Sequence, residues 1–185
     1  NVLIDSNFAT AISNALTYAS VKIVASSPNT QQVNFGNITI SPSIQIVNNS
    51  QNLTSLTLQA SQGFFNYGQI GSTQSSSLDV FAQAQFINLA SGSQILANQV
   101  TLVAADSMII SGSIQGIYGS NQNNQNPIIN LYANLFNLIG SISVNTSGRN
   151  SQGGSIRVQA NTIMLSKDSE LIASGDSGGS ITLAS

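Results

Sequence analysis

Residues 153–160 read Gly-Gly-Ser-Ile-Arg-Val-Gln-Ala, and residues 178–185 read Gly-Gly-Ser-Ile-Thr-Leu-Ala-Ser. Each stretch ends in a pentad in which apolar side chains occupy the first and third positions and a small residue the fifth. This period of two is typical of a β-strand with one buried face. The preceding glycines and serine favour a turn before each strand. The two copies therefore indicate a repeated turn–strand unit.

The pentad recurs along the whole chain. Its copies are Val21–Ala25, Ile38–Pro42, Leu56–Ala60, Leu78–Ala82, Val100–Ala104, Ile129–Ala133, Ile156–Ala160 and Ile181–Ser185. Successive last positions are 17 to 29 residues apart, within the range of solenoid repeats. A second apolar cluster, such as Phe136 with Leu138, and a third short strand, such as Ser141–Val144, follow the pentad in most repeats.

Three short strands per repeat predict an all-β fold, a three-sided parallel β-helix solenoid of about seven to eight coils. We expect the first, third and fifth pentad residues to point inward, with the small fifth residue at a tight corner. Leu58, Leu102 and Val158 should then line one interior column. Insertions at 121–127 and 147–154 are rich in Asn and Gly and predict loops at one corner.

The N-terminal segment differs from the repeats. Helical spacing of Phe8, Ile12, Ala15, Leu16 and Ala19 predicts a short amphipathic helix with Ser6 or Asn7 as the N-cap. We expect residues 1–20 to form a capping or lateral segment and residues 21–185 the β-helix.

Composition excludes several function classes. Charged residues are 5% of the chain and the net charge is −2, so no basic patch is present for nucleic acid. Cysteine is absent, which excludes disulfides and thiolate metal sites. Hydrophobic residues make up 41% and many are β-branched, which favours packed strands over disorder.

Three phrases carry a family resemblance: Asn52–Ala60, Ile109–Ile114 and Gly153–Ala160. They resemble the repeats of filamentous haemagglutinin-type exoproteins, over residues from about 35 to 185. The resemblance implies a right-handed β-helix, export by two-partner secretion through an outer-membrane transporter, and a place outside the cell or on the bacterial surface. It implies adhesion or projection of a distal tip as the role. The Asn-Pro-Asn-containing secretion domain of such proteins does not occur in these residues, so the resemblance is to a passenger segment.

No catalytic residues, metal site or cofactor are predicted. Gly175–Gly179 matches the string around the nucleophile of trypsin-like proteases, but the chain has no histidine to accept the serine proton. The alternative function is a polysaccharide lyase or glycosidase, since such enzymes use β-helices. They need clustered carboxylates, and here only Asp168, Glu170 and Asp176 lie close in sequence.

The candidate contact surface is an outward apolar stripe of Phe81, Val103 and Tyr132. Aromatic side chains among Asn and Thr suit sugar rings or another protein, so the predicted partners are a glycan, a host-cell or surface receptor, or a neighbouring copy. The 121–127 insertion or the N-terminal helix could instead cover the stripe. Open strand edges at both solenoid ends also predict head-to-tail self-assembly into filaments.

Overall fold

The computed structural model describes residues 1–26, 36–73, 77–117, 126–146 and 153–185. The structure is mostly β, with 60% strand and one short helix, and its strands are parallel. The helix is α1, Ser6–Leu16. The strands are β1 (Val2–Ile4), β2 (Val21–Ala25), β3 (Ile38–Ile40), β4 (Gln45–Ile46), β5 (Thr54–Ala60), β6 (Gly63–Asn66), β7 (Gln69–Ile70), β8 (Leu78–Leu89), β9 (Gln94–Ala97), β10 (Gln99–Ile110), β11 (Ser113–Gly116), β12 (Ile128–Leu138), β13 (Ser141–Asn145), β14 (Ser155–Leu165), β15 (Glu170–Ser174) and β16 (Ser180–Ala184).

The strands form two parallel sheets between which the chain alternates. A ten-stranded sheet has the order β1-β3-β6-β8-β10-β12-β14-β16, with β5 between β2 and β8, and a six-stranded sheet has the order β15-β13-β11-β9-β7-β4. From β8 onward, each strand of the larger sheet is followed by one of the smaller. Each return adds a strand beside the previous one in the same direction, an arrangement compatible with a parallel β-helix.

The pentads stack into a continuous apolar interior, as predicted. Strand register places Ile23, Leu58, Ala82, Leu102, Leu131, Val158 and Leu183 in one column. Leu58, Leu102 and Val158 are each 0% exposed. A second column on the same sheet contains Ile38, Phe64, Ile87, Met108, Phe136 and Ile163. Branched aliphatic side chains fit this half-buried pleated surface well.

The first and second predicted strands of each later repeat run on as one strand of 11 or 12 residues. Between Val103 and Ser107 the register shifts, because β10 has one more residue than its neighbours at this point, as in a β-bulge. The fifth pentad residues lie here: Ala104 and Ala160 are buried. Small, buried side chains therefore lie beside the register shift.

Two pentads do not lie where the sequence pattern placed them. Ile38 and Ile40 pair with Phe64 and Asn66 of β6 and not with another pentad, because the apolar-x-apolar alternation is the same for both kinds of strand. Leu78 pairs with Thr54, and Val80 pairs with Leu56. The stacked pentad is therefore Val80–Ala84, shifted by two residues from the predicted Leu78–Ala82.

The predicted helix is present, but its boundary and buried face differ. Asp5 is the N-cap, since its carboxylate accepts from the Phe8 N–H at 2.9 Å; Ser6 and Asn7 were therefore wrong as N-caps. Phe8 is 39% exposed, and Ala15 and Ala19 are also exposed. The buried residues are Ala9, Ile12, Ser13 and Leu16. The helix packs against β1, β2, β4 and β5.

A buried asparagine ties this helix to the sheets. Asn48 is 0% exposed, and its amide nitrogen donates to the backbone oxygens of Asn52 at 2.8 Å and Ser77 at 2.9 Å. It also lies 3.0 Å from Thr54 Oγ1, which donates to the Leu16 backbone oxygen at 3.1 Å. These bonds satisfy a carbonyl at the end of α1, where helix geometry leaves it without a partner.

The interior column can be tested by removing one of its members. Leu131→Ala leaves a cavity between Leu102 and Val158, so we expect the free energy of unfolding to fall by about 3 kcal/mol. Asn130→Ala is the control, because Asn130 lies on the same strand and faces outward. Urea unfolding measures both variants. Equal, small effects would show that Leu131 does not pack in a continuous core.

Candidate binding surface

The structure brings together two of the three predicted stripe residues. Val103 and Tyr132 are register partners on β10 and β12. Phe81 pairs with Thr101, two residues away from Val103 along the strand, while Gln83 pairs with Val103. The straight three-residue stripe is therefore wrong, and its cause is the shift of the β8 pentad. All three side chains are partly exposed.

Tyr132 lines a cleft of about 420 Å³ at the bend of the larger sheet. Around it lie Asn134, Gln159 and Asn161, with a floor of alanines. Asn161 Nδ2 donates to Asn134 Oδ1 at 2.7 Å, so the amides of two neighbouring repeats are joined. These amides were not predicted from the sequence, although Asn134 and Asn161 each follow a pentad alanine, and this shared position was a signal.

The chemistry of this cleft is neutral and polar, with one aromatic face. Tyr132 offers a ring surface and a hydroxyl. The amides offer both donors and acceptors. The lining of the cleft contains no charged side chain. It can stack on and hydrogen-bond to an uncharged polar ligand.

Two further clefts lie at the turns that connect strands of the larger sheet to strands of the smaller sheet. One has about 420 Å³ and includes Tyr67; the other has about 330 Å³ and includes Asp168 and Glu170, and both include Gly92. The turns approach each other closely here. A Cβ on Gly140 would collide with the Gly112 backbone oxygen, so only glycine allows this spacing.

The acidic residues are spread over the part of the chain that the structure describes, and only two of them line one cleft. No group of three or more His, Cys, Asp or Glu side chains suitable for a metal ion occurs there. Asp168 and Glu170 line the same cleft, whereas Asp176 lies in the turn between β15 and β16. The Asp168, Glu170 and Asp176 sequence cluster is therefore not gathered into one cleft.

Asp79 is a half-buried acidic residue on β8. Burial raises the pKa of its carboxyl group above the usual value, while hydrogen bonds from the Gln99 backbone N–H and the Asn98 side chain act in the opposite direction. The Gln99 N–H lies 3.1 Å from Asp79 Oδ1. Beside it, Asn98 Oδ1 is buried with no hydrogen-bond partner. The sequence predicted Asp79 as an ordinary outward residue and gave no signal of this burial.

The raised pKa of Asp79 predicts that the stability of the fold depends on pH. A carboxyl group with a raised pKa in the folded state binds its proton more tightly there than in the unfolded chain, whose pKa is about 3.9. The free energy of unfolding therefore decreases as the pH rises through the interval between the two values. Asp79→Asn keeps an acceptor for the Gln99 N–H and cannot ionise. We expect this variant to be more stable than the wild type at pH 7. Its free energy of unfolding should also decrease less as the pH rises.

Thermal unfolding at a series of pH values measures the effect. Asp106→Asn is the matched control, because it removes a carboxylate at an exposed position. A less stable Asp79→Asn variant at pH 7 would mean that the hydrogen bonds to the carboxylate outweigh its burial.

No helix in the described ranges is long and apolar enough to cross a membrane. Comparison of the chain with protein-family models, with curated proteins and with solved structures finds no match.

Proposed function

We propose that this chain is a non-enzymatic structural and adhesive segment of a large secreted bacterial surface protein. In this proposal, the two sheets form the sides of a right-handed, three-sided β-helix, and the bend near Ala104 separates two of the three sides. The β-helix acts as a rod that holds distance and presents surface. Its resemblance to filamentous haemagglutinin-type repeats supports secretion through an outer-membrane transporter and display at the cell surface.

The interior column from Ile23 to Leu183 carries the proposal. In this column, repeats of unequal length place equivalent side chains on top of one another. A long rod needs this property, because each repeat packs only on its neighbours. The chain also obtains this packing with few charges and no cysteine. A fold without cysteine needs no disulfide bonds, which suits a protein exported unfolded.

The cleft at Tyr132 supports adhesion. An aromatic ring beside the side-chain amides of Asn134, Gln159 and Asn161 suits neutral oligosaccharides, because the ring stacks on the apolar face of a sugar and the amides hydrogen-bond to its hydroxyl groups. The helix packs against β1, β2, β4 and β5, away from Tyr132 on β12, and residues 121–125 of the insertion lie outside the described residues. A glycan on a host cell or other surface is the proposed ligand.

The alternative is a polysaccharide lyase or glycosidase built on the same fold. Incubation with pectin, alginate and related polymers distinguishes the two functions. The structural proposal expects neither unsaturated nor reducing ends to be released. Sustained release, abolished by Asp168→Asn with Glu170→Gln, would replace the structural proposal by the enzymatic one.

A binding experiment tests the adhesive role directly. We expect Tyr132→Ala to weaken binding to an array of neutral oligosaccharides about tenfold, since it removes one stacking contact. Tyr18→Ala is the control, because Tyr18 is 88% exposed and lies beyond the end of the helix. Wild-type protein that binds no array member, or equal binding by both variants, would contradict a glycan site at Tyr132.

A further inference from the structure

The larger sheet has a second outward surface, beyond the register shift that follows Val103 on β10. β6 and the later parts of β8, β10, β12 and β14 form this surface, and each strand contributes two outward positions. Residues at the first of these positions are register partners on successive strands. They are Gly63, Phe86, Ser107, Leu135 and Thr162.

The second file of outward positions lies two residues further along the same strands. It consists of Phe65, Asn88, Ile109, Asn137 and Met164. Apolar and polar residues alternate along this file, and from β8 onward they alternate in the opposite sense along the first. The apolar side chain therefore changes file from each strand to the next. We call the ten positions the checkerboard face.

Apolar side chains of this face reach solvent in the middle of the stack. Phe86 is 40% exposed and Ile109 is 37% exposed, while Phe65 and Leu135 are partly exposed. A Cβ on Gly63 would collide with the Phe65 ring, so this ring lies across Gly63 and beside Phe86, the register partner of Gly63. None of the ten residues is charged. A connected apolar surface of this kind is typical of an interaction site.

The checkerboard face has the same pattern in both directions from Ile109. One strand away on either side, Phe86 corresponds to Leu135, and both are apolar. In the second file, Asn88 corresponds to Asn137, and both are amides. A pattern that is symmetric about its centre matches itself when one copy is turned end over end. This is the property of an interface with two-fold symmetry.

We propose that the checkerboard face binds the same face of a second copy of this chain, with the two stacks antiparallel. The two-fold axis lies between the copies and parallel to β10, so Ser107 and Ile109 each lie opposite their own copies. Phe86 then packs against Leu135 of the other copy, so apolar residues meet apolar residues. This inference does not depend on secretion or adhesion.

The spacing of the face favours a second copy over other partners. Neighbouring strands are about 4.8 Å apart, so the pattern repeats about every 9.6 Å along the stack. A β-strand peptide laid along the stack would repeat about every 6.6 Å and would lose its match, whereas a second copy has the same period. Two strands from the centre, Phe65 lies opposite Met164, and contacts between sulfur and an aromatic ring are favourable.

The face is small for an interface between proteins. Five strands, with four residues of each, give roughly 300 Å², compared with about 800 Å² per partner in interfaces of standard size. We therefore expect a reversible dimer that forms at high protein concentration.

Sedimentation equilibrium tests the dimer, and the wild type should show a monomer–dimer equilibrium. Ile109→Lys places two lysines on the axis, and we expect its dissociation constant to be at least tenfold higher, because like charges oppose association. Thr101→Lys is the matched control. Thr101 is an outward residue of the same strand, on the other side of the register shift, so this variant should dimerise like the wild type.

A second variant should strengthen the dimer. Asp106 is the one charged residue of β10, and it is exposed next to Ser107. The proposed axis brings the two copies of Asp106 to the same rim, where they repel each other. We expect Asp106→Asn to lower the dissociation constant severalfold at low ionic strength, with a smaller effect as the salt concentration rises.

Cross-linking tests the register of the two copies. The chain has no cysteine, so a single thiol can be placed at a chosen position. Asn88→Cys protein mixed with tagged Asn137→Cys protein should form pairs with a short thiol-specific cross-linker, because these positions lie opposite each other on sheets about 10 Å apart. Each variant alone should form few pairs, because its own copies lie two strands apart along the stack.

Four outcomes would overturn the proposal. Three are a wild type that stays monomeric up to about 1 mM, equal dissociation constants for Ile109→Lys and Thr101→Lys, and equal cross-linking of the mixed and unmixed cysteine variants. The fourth is a monomeric wild type whose binding to oligosaccharides is lost in Ile109→Lys, which would assign the checkerboard face to a glycan instead.

Discussion

In-register stacking of parallel strands is the constraint on which this structure depends. Side chains alternate between two faces with a period of two, so a slip of one residue would expose an entire apolar column. A shift of two residues keeps the inward face, and the β8 pentad makes such a shift relative to the sequence pattern. The Leu58–Ala82–Leu102 column absorbs this change because alanine and leucine both fit the interior. Repeats whose pentads differ in position by two residues can therefore still pack into continuous columns.

The repeats made most of the strands predictable. Pentads from Val100 onward pair as expected, and so do the third strands from Gln69 to Ile172. The two wrong placements occur where the local sequence fits more than one strand register. Residues 78–84 contain the pentad pattern twice, and only the neighbouring strands select Val80–Ala84. Ile38–Ile40 carries the same alternation as either strand type, and its placement depends on β1 and Phe64, which are distant in sequence.

The surface was less predictable than the core, for a physical reason. Inward positions are identified by hydrophobic periodicity alone, whereas a surface site depends on which outward residues of different repeats become neighbours. Tyr132 and Asn134 gain their cleft from Gln159 and Asn161 of the next repeat. Asp79 becomes half-buried next to Asn98, and Asn48 becomes a buried hydrogen-bonding centre. None of these environments follows from the local sequence, because each depends on residues 19 or more positions away.

The direction of the backbone hydrogen bonds has a mechanical consequence. In the larger sheet, the bonds join β1 at one edge to β16 at the other through every intervening repeat, so they lie along the line between the chain termini. Tension applied at the two termini would pull neighbouring strands apart along their hydrogen bonds, and these bonds would break one after another. The chain would lengthen in steps, one repeat at a time. The hydrogen bonds of Asn48 and Thr54 would make the helix-bearing end the last to yield.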